Sequence, residues 1–154
     1  MKINKEGLEL VKKFEGCKLS TYLCPAGVPT IGYGHTGEVD GKKLDGKKPI
    51  KITQKKADEL LKKDLAKFEK AVENLEKKYG YKFNENQFSA LVSFSFNLGE
   101  GSLLQVTRNG LRNKKEIATA MRLYNKANGQ TLQGLVNRRI AEIKLYNKKV
   151  VKNV

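Results

Sequence analysis

The sequence predicts an α+β fold: a small sheet lobe near the N-terminus, a long connecting helix, and a larger helical lobe. Three observations carry this. Glycines at 27, 32, 34, 37, 41 and 46 punctuate a loosely alternating apolar stretch over about 17–52, which reads as short strands and turns. A stripe of apolar residues at helical spacing then runs from Ala57 to Leu75. Beyond it the apolar pattern stays helical, so sheet and helices are segregated along the chain. The 154 residues fit one domain with two lobes.

The elements follow in order. Asn4 caps a first helix, in which Leu8, Val11 and Phe14 fall on one face and which Gly16 ends. Strands are expected near 18–23 and 28–34, with a weaker one near 50–52. Between them, residues 40–49 form a polar, turn-rich excursion. Pro29 lacks an N–H donor, which suits an edge strand. Thr53 caps the connecting helix, about 53–79, with Ala57, Leu60, Leu61, Leu65, Phe68, Val72 and Leu75 as its inner stripe and charge on its other faces. Asn84 and Gln87 have capping-box spacing. The run Phe88–Phe96 is apolar or small on nearly every face, as a helix at the centre of a bundle would be. Shorter helices are expected near 102–111 and 115–126, and a last one from Gly134. The helical lobe thus spans about 84–150 and takes in the N-terminal helix 4–15. A cleft between the lobes would place residues 15, 24 and 30 along its sheet side.

The chain carries 31 Lys and Arg against 16 Asp and Glu, a formal net charge of +15. That charge favours anionic partners such as nucleic acid, an acidic membrane surface or a bacterial wall, and much of it is a solvated lysine surface. Nucleic-acid binding is disfavoured, because no recognition helix, zinc spacing or stacking motif is present. The start, Met1 to Glu6, has no apolar core and no cleavage site, so no signal peptide is expected and the chain would be made in the cytoplasm. No stretch is long enough to span a bilayer, so stable membrane insertion is not expected. Cys17 and Cys24 are too few for a disulfide framework, and without a His/Cys cluster no metal is expected. The glycines at 32 and 34 lack the third glycine and the lysine of a phosphate loop, so no cofactor is expected either.

The chemistry concentrates at the junction of helix and sheet. Glu15 closes the first helix, where a mere surface acid is electrostatically unfavourable. Cys24 and Thr30 follow within the strand region. An acid, a thiol and a hydroxyl close in sequence suit general acid catalysis. His35, the one histidine, reads as a structural hydrogen-bonding residue. Arg138 and Arg139 read as surface residues.

Three stretches together resemble the phage-type lysozymes, the endolysins of glycoside hydrolase family twenty-four: Phe14-Glu15-Gly16 with Cys24 and Thr30-Ile31-Gly32-Tyr33-Gly34-His35-Thr36; Gln87 to Gly99; and Gly134 to Arg139 with Glu142. The resemblance implies a lysozyme-like fold and a bacteriolytic muramidase. Its substrate would be the β-1,4 bond between N-acetylmuramic acid and N-acetylglucosamine in peptidoglycan. By the same resemblance Glu15 is the general acid, Cys24 stands where the family usually has an Asp that acts as base, nucleophile or electrostatic stabiliser, and Thr30 helps place the attacking water. Gly34, Thr36 and Phe96 then contact substrate, and in the family an arginine of the region of Arg138 and Arg139 can cross the cleft to pair with the acid. The family also implies inversion, a monomer, and a holin that opens the membrane on the way to the wall. Tyr124 stands where many members carry Trp.

A thiol titrates near ~8.5 against ~3.9 for Asp. Cys24 therefore weakens the standard reading and leaves alternatives open. One is a lytic transglycosylase, which needs one acid and no water activator. Another is a cationic antibacterial protein that works without catalysis.

Overall fold

A computed structural model describes residues 1–151. The order of elements is α1 (Lys5–Glu15), β1 (Lys18–Leu23), β2 (Pro29–Gly32), β3 (His35–Thr36), β4 (Glu38–Val39), β5 (Lys42–Lys43), α2 (Gln54–Tyr79), α3 (Glu85–Leu98), α4 (Gly101–Val106), α5 (Lys114–Met121), β6 (Lys126–Ala127), β7 (Gln130–Thr131) and α6 (Gln133–Asn147). Most strands come together before the helical run, as an α+β chain requires, and the expected segregation fails only at the β6–β7 hairpin between α5 and α6. Internal packing divides the chain into two units, residues 12–66 and residues 1–11 with 67 onward. The division passes through both α1 and α2.

In the unit of residues 12–66, β1, β2 and β3 form one antiparallel sheet in that order. Lys18 pairs with Gly32, Tyr22 with Thr30, and Thr30 in turn with Thr36. Pro29 is on the central strand, not an edge strand. It is tolerated because it is the first residue of β2, opposite Leu23 and before the pairing with β3 begins. The region 50–52 makes a single bridge from Lys51 to Ser20 instead of a strand. Its flanking hydrogen bonds, Thr21 N–H to Ile50 O and Ile52 N–H to Leu19 O, dock it on β1. The excursion at 40–49 contains part of a hairpin, β4–β5. Its Val39 and Leu44 join Ile31 and Leu60 in the core, with Ile50 and Ile52 against them. His35 links this unit internally: Nδ1 lies 2.7 Å from Asp64 Oδ2 of α2, and Nε2 lies 2.7 Å from Glu38 O.

The other unit centres on α3, which packs mainly on α6. Phe88, Leu91, Val92 and Phe94 are fully buried, with Val106, Ile117 and Met121 from α4 and α5. Asn84 and Gln87 form the expected reciprocal cap, and Asn113 with Glu116 forms a second. Asn4 caps α1 by accepting from Gly7 N–H at 2.9 Å. Glu69 departs from the charged outer face expected of α2: it is buried and accepts from Ile3 N–H at 2.7 Å. α4 and α5 are shorter than expected, ending at Val106 and Met121. The chain after α5 forms a β6–β7 hairpin, its turn made by Asn128 and Gly129, both at positive φ. The Asn-Gly pair was the available signal for it.

Candidate active site

α1 ends at Glu15 because Gly16 adopts φ 70° and returns its N–H to Lys12 O at 3.0 Å. The half-buried Glu15 is thus the last helical residue. Further along, β1 turns into β2 through Cys24-Pro25-Ala26-Gly27. Gly27 N–H donates to Cys24 O at 2.8 Å, and Cys24 N–H to Val28 O at 3.0 Å. Pro25 presets the second turn position, and Gly27 supplies the positive φ, 77°, that closes the hairpin.

This hairpin sets the chemistry of Cys24. The backbone N–H groups of Val28 and Ala26 hold the thiol below its ordinary range, and the Thr30 hydroxyl adds to this. Partial desolvation opposes them. Thr30 is buried, and its hydroxyl donates to Val28 O at 2.8 Å. One hydroxyl proton serves one acceptor at a time, so donation to a Cys24 thiolate means letting go of Val28. Both cysteines are free thiols. Cys17 lies near the Gln54 amide, its sulfur 3.9 Å from Oε1.

Gly34 and Thr36 flank His35 at the β2–β3 turn, and both are exposed. A Cβ placed on Gly34 would lie 3.4 Å from Glu15 Oε1. Tyr22 and Thr36 are the cross-strand partners of Thr30 on either side. The three side chains therefore share one row on one face of the sheet. Tyr22 was not singled out in the sequence, where an aromatic in a strand signals only packing. Burial, and then the charges of Cys24 and Glu15, push its phenol up.

Phe96 belongs to the other unit, where its ring meets Phe68 edge-on with centroids 5.4 Å apart. Phe88 and Phe94 are core residues. Tyr124 packs edge-on against Phe94 at 5.1 Å. Arg138 and Arg139 are not surface residues: their exposure is 3% and 1%, and Glu142 between them is fully buried. Arg138 Nε donates to Glu142 Oε2 at 3.2 Å, and Ser93 Oγ donates to the same oxygen at 2.5 Å. Arg139 Nε lies 2.7 Å from Glu142 Oε1, an ion pair whose N–H is not aimed at the oxygen. Its other nitrogens donate to Asn97 Oδ1 and Tyr124 O. Burial pushes the Glu142 carboxyl up, against the pull of both guanidiniums and Ser93. Such a cluster persists inside a protein only when each charge is paired. Among the described residues no group of His, Cys, Asp and Glu could hold a metal ion.

Residues 12–142 match the family model described as phage lysozyme. The endolysin of Salmonella phage P22 is 37% identical over 149 residues, covering 95% of this chain and 98% of that protein. The endolysin of Bacillus phage PZA is 38% identical over 166 residues, covering all of this chain and 58% of its own length. The chain therefore spans little more than half of that second relative. Among solved structures, the muramidase domain of SpmX from Asticaccaulis excentricus is similar, with a TM-score of 0.78 at 36% identity over 96% of this chain and 99% of that one.

Proposed function

We propose that this chain, which belongs to the phage lysozyme family, is a peptidoglycan-hydrolysing muramidase working through Glu15, Cys24 and Thr30. Glu15 protonates the glycosidic oxygen between N-acetylmuramic acid and N-acetylglucosamine, and the bond breaks through an oxocarbenium-like transition state. Cys24, as thiolate, takes the proton of a water that attacks the anomeric carbon from the opposite face. Thr30 orients that water, and the product is inverted. Gly34, Thr36 and Phe96 contact the glycan.

The observation that carries the reading is the β1–β2 hairpin. Its backbone N–H groups at Val28 and Ala26, with the Thr30 hydroxyl, hold the Cys24 thiol below its ordinary range, in the same unit as a glutamate at a helix end. That combination favours an ionised group at position 24, as activation of water demands.

No helix among the described residues is long and apolar enough to cross a membrane. The protein acts as a monomer, without cofactor, and reaches the wall through a lesion opened by a holin.

The test is lysis of purified peptidoglycan, followed as loss of turbidity, by the parent and by Glu15→Gln. A general acid contributes about 10²–10⁴-fold, so the variant should lose at least about a hundredfold in rate. Lysis by the variant near the parent rate would sink the reading. Mass spectrometry of the muropeptides separates reducing ends, expected here, from the anhydro-muramic ends of a transglycosylase.

A further inference from the structure

Tyr22 occupies a place in the sheet that core packing does not explain. It stands directly across from Thr30, which in turn pairs with Thr36. Cys24 lies two residues on, and side chains two apart along an extended chain share a face. The phenol is therefore in register with the hydroxyl and thiol of the candidate site. Lys18 Nζ stands over its ring at 4.5 Å from the centroid, a cation–π contact that restrains the ring from one side.

The hydroxyl of Tyr22 has no hydrogen-bond partner among the described residues. Tyr33 Oη accepts from Gln54, and Tyr81 and Tyr146 donate to the carbonyls of Arg112 and Lys114. The hydroxyls of Tyr79 and Tyr124, like that of Tyr22, make no hydrogen bond among the described residues, so it is the place of Tyr22 in the row with Thr30 and Thr36 that sets it apart. A half-buried phenol at a site rim, braced by a lysine and with its hydroxyl unspent, is arranged to meet a ligand. Its neighbours also keep it protonated, since burial and the charges of Cys24 and Glu15 all push it up.

We propose that Tyr22 is a saccharide-binding residue of this site, with its hydroxyl donating to a sugar oxygen and its ring edge and free face against the apolar C–H face of the pyranose. The assignment rests on the muramidase reading for the identity of the glycan. A sugar unit offers both surfaces that an amphipathic ring can use: hydroxyl and acetamide oxygens, and a face of C–H bonds.

Two measurements test it separately from catalysis. In the first, a soluble N-acetylglucosamine oligomer is titrated into the Glu15→Gln protein with and without Tyr22→Phe or Tyr22→Ala. The chain has no Trp, so tyrosine fluorescence reports directly, with calorimetry as the check on the variants. Tyr22→Phe should weaken binding about fivefold, the worth of one hydrogen bond, and Tyr22→Ala by about tenfold or more as the ring is also lost. In the second, Tyr22→Phe in the otherwise unaltered enzyme should raise KM for peptidoglycan by a similar factor and leave kcat within about twofold. Binding and KM unchanged in both variants would overturn the proposal, as would a fall in kcat at constant KM. Tyr22-dependent sugar binding by a protein that lyses nothing would leave the proposal standing and remove the muramidase reading instead. Unchanged melting of Tyr22→Phe excludes a folding defect as the cause.

Discussion

Gly34 lies against Glu15: a Cβ at Gly34 would stand 3.4 Å from Glu15 Oε1, an ordinary van der Waals contact, and the residue holds φ 78°. The two observations differ in cost. The positive φ is costly for any residue with a Cβ, by roughly 1–2 kcal/mol, whereas the new methyl would only touch the carboxylate of the proposed acid.

Gly34→Ala is therefore expected to cost more in stability than in activity. Unfolding in urea should show a loss of about 1–2 kcal/mol, while lysis of peptidoglycan by the folded variant stays near the parent rate. A fall in lysis of about tenfold or more with the fold intact would mean that this contact displaces the Glu15 carboxyl.

Much of this frame was legible because local chemistry and tertiary packing agree. Thr53, Asn84 and Asn4 each cap the helix their side chains predicted, and the stripe from Ala57 to Leu75 faces inward as its spacing requires, except that Phe68 is only half-buried. Local character misleads where a long-range partner overrides it. Arg138, Arg139 and Glu69 have the composition of surface residues, and only the fold supplies the buried partners that admit them. Pro29 looked like an edge residue because sequence does not reveal that β3 stops one residue short of it. At the site, the order of Glu15, Cys24 and Thr30 was readable, but the row from Tyr22 through Thr30 to Thr36 depends on strand register, which no single strand specifies.

Gly7 meets a closer approach inside the helical unit. A Cβ there would come within 2.7 Å of Ser89 Cβ and 2.8 Å of Ile3 Cγ1. Ala normally stabilises a helix by about 0.5–1 kcal/mol over Gly, but overpacking costs about 1–3 kcal/mol. Gly7→Ala should therefore be net destabilising by about 1–2 kcal/mol, read as a lower urea midpoint with an unchanged slope. A stabilised variant would show that α1 shifts on α3 freely.

Glu142→Gln removes a shared carboxylate from a pair of buried guanidiniums. Breaking a buried ion pair from one side costs about 3–5 kcal/mol, a large part of the ~5–15 kcal/mol that holds a domain together. The variant should unfold at a much lower urea concentration and melt many degrees below the parent. A loss under about 1 kcal/mol would mean that Ser93, Asn97 and the Tyr124 carbonyl hold the arginines without Glu142.

Cys24 and Asp at the same position differ in when they ionise. In the proposed reaction Glu15 is protonated while residue 24 is ionised in the same molecule. The hairpin N–H groups bring the thiol below its ordinary range, yet an aspartate titrates lower still, near ~3.9. Cys24→Asp therefore enlarges the fraction of enzyme in the working state at pH 5–7 and should lyse peptidoglycan faster there, with kcat/KM rising on a limb displaced to acid pH. In the parent the corresponding rise comes later, as the thiol loses its proton, but below the ~8.5 of a free cysteine. Cys24→Ser has no group that ionises in this range, so its profile should lack that limb and its rate should fall. Equal rates and identical pH profiles for the serine variant and the parent would show that the thiolate is not the base, and would move the mechanism toward a site with one acid and no water activator.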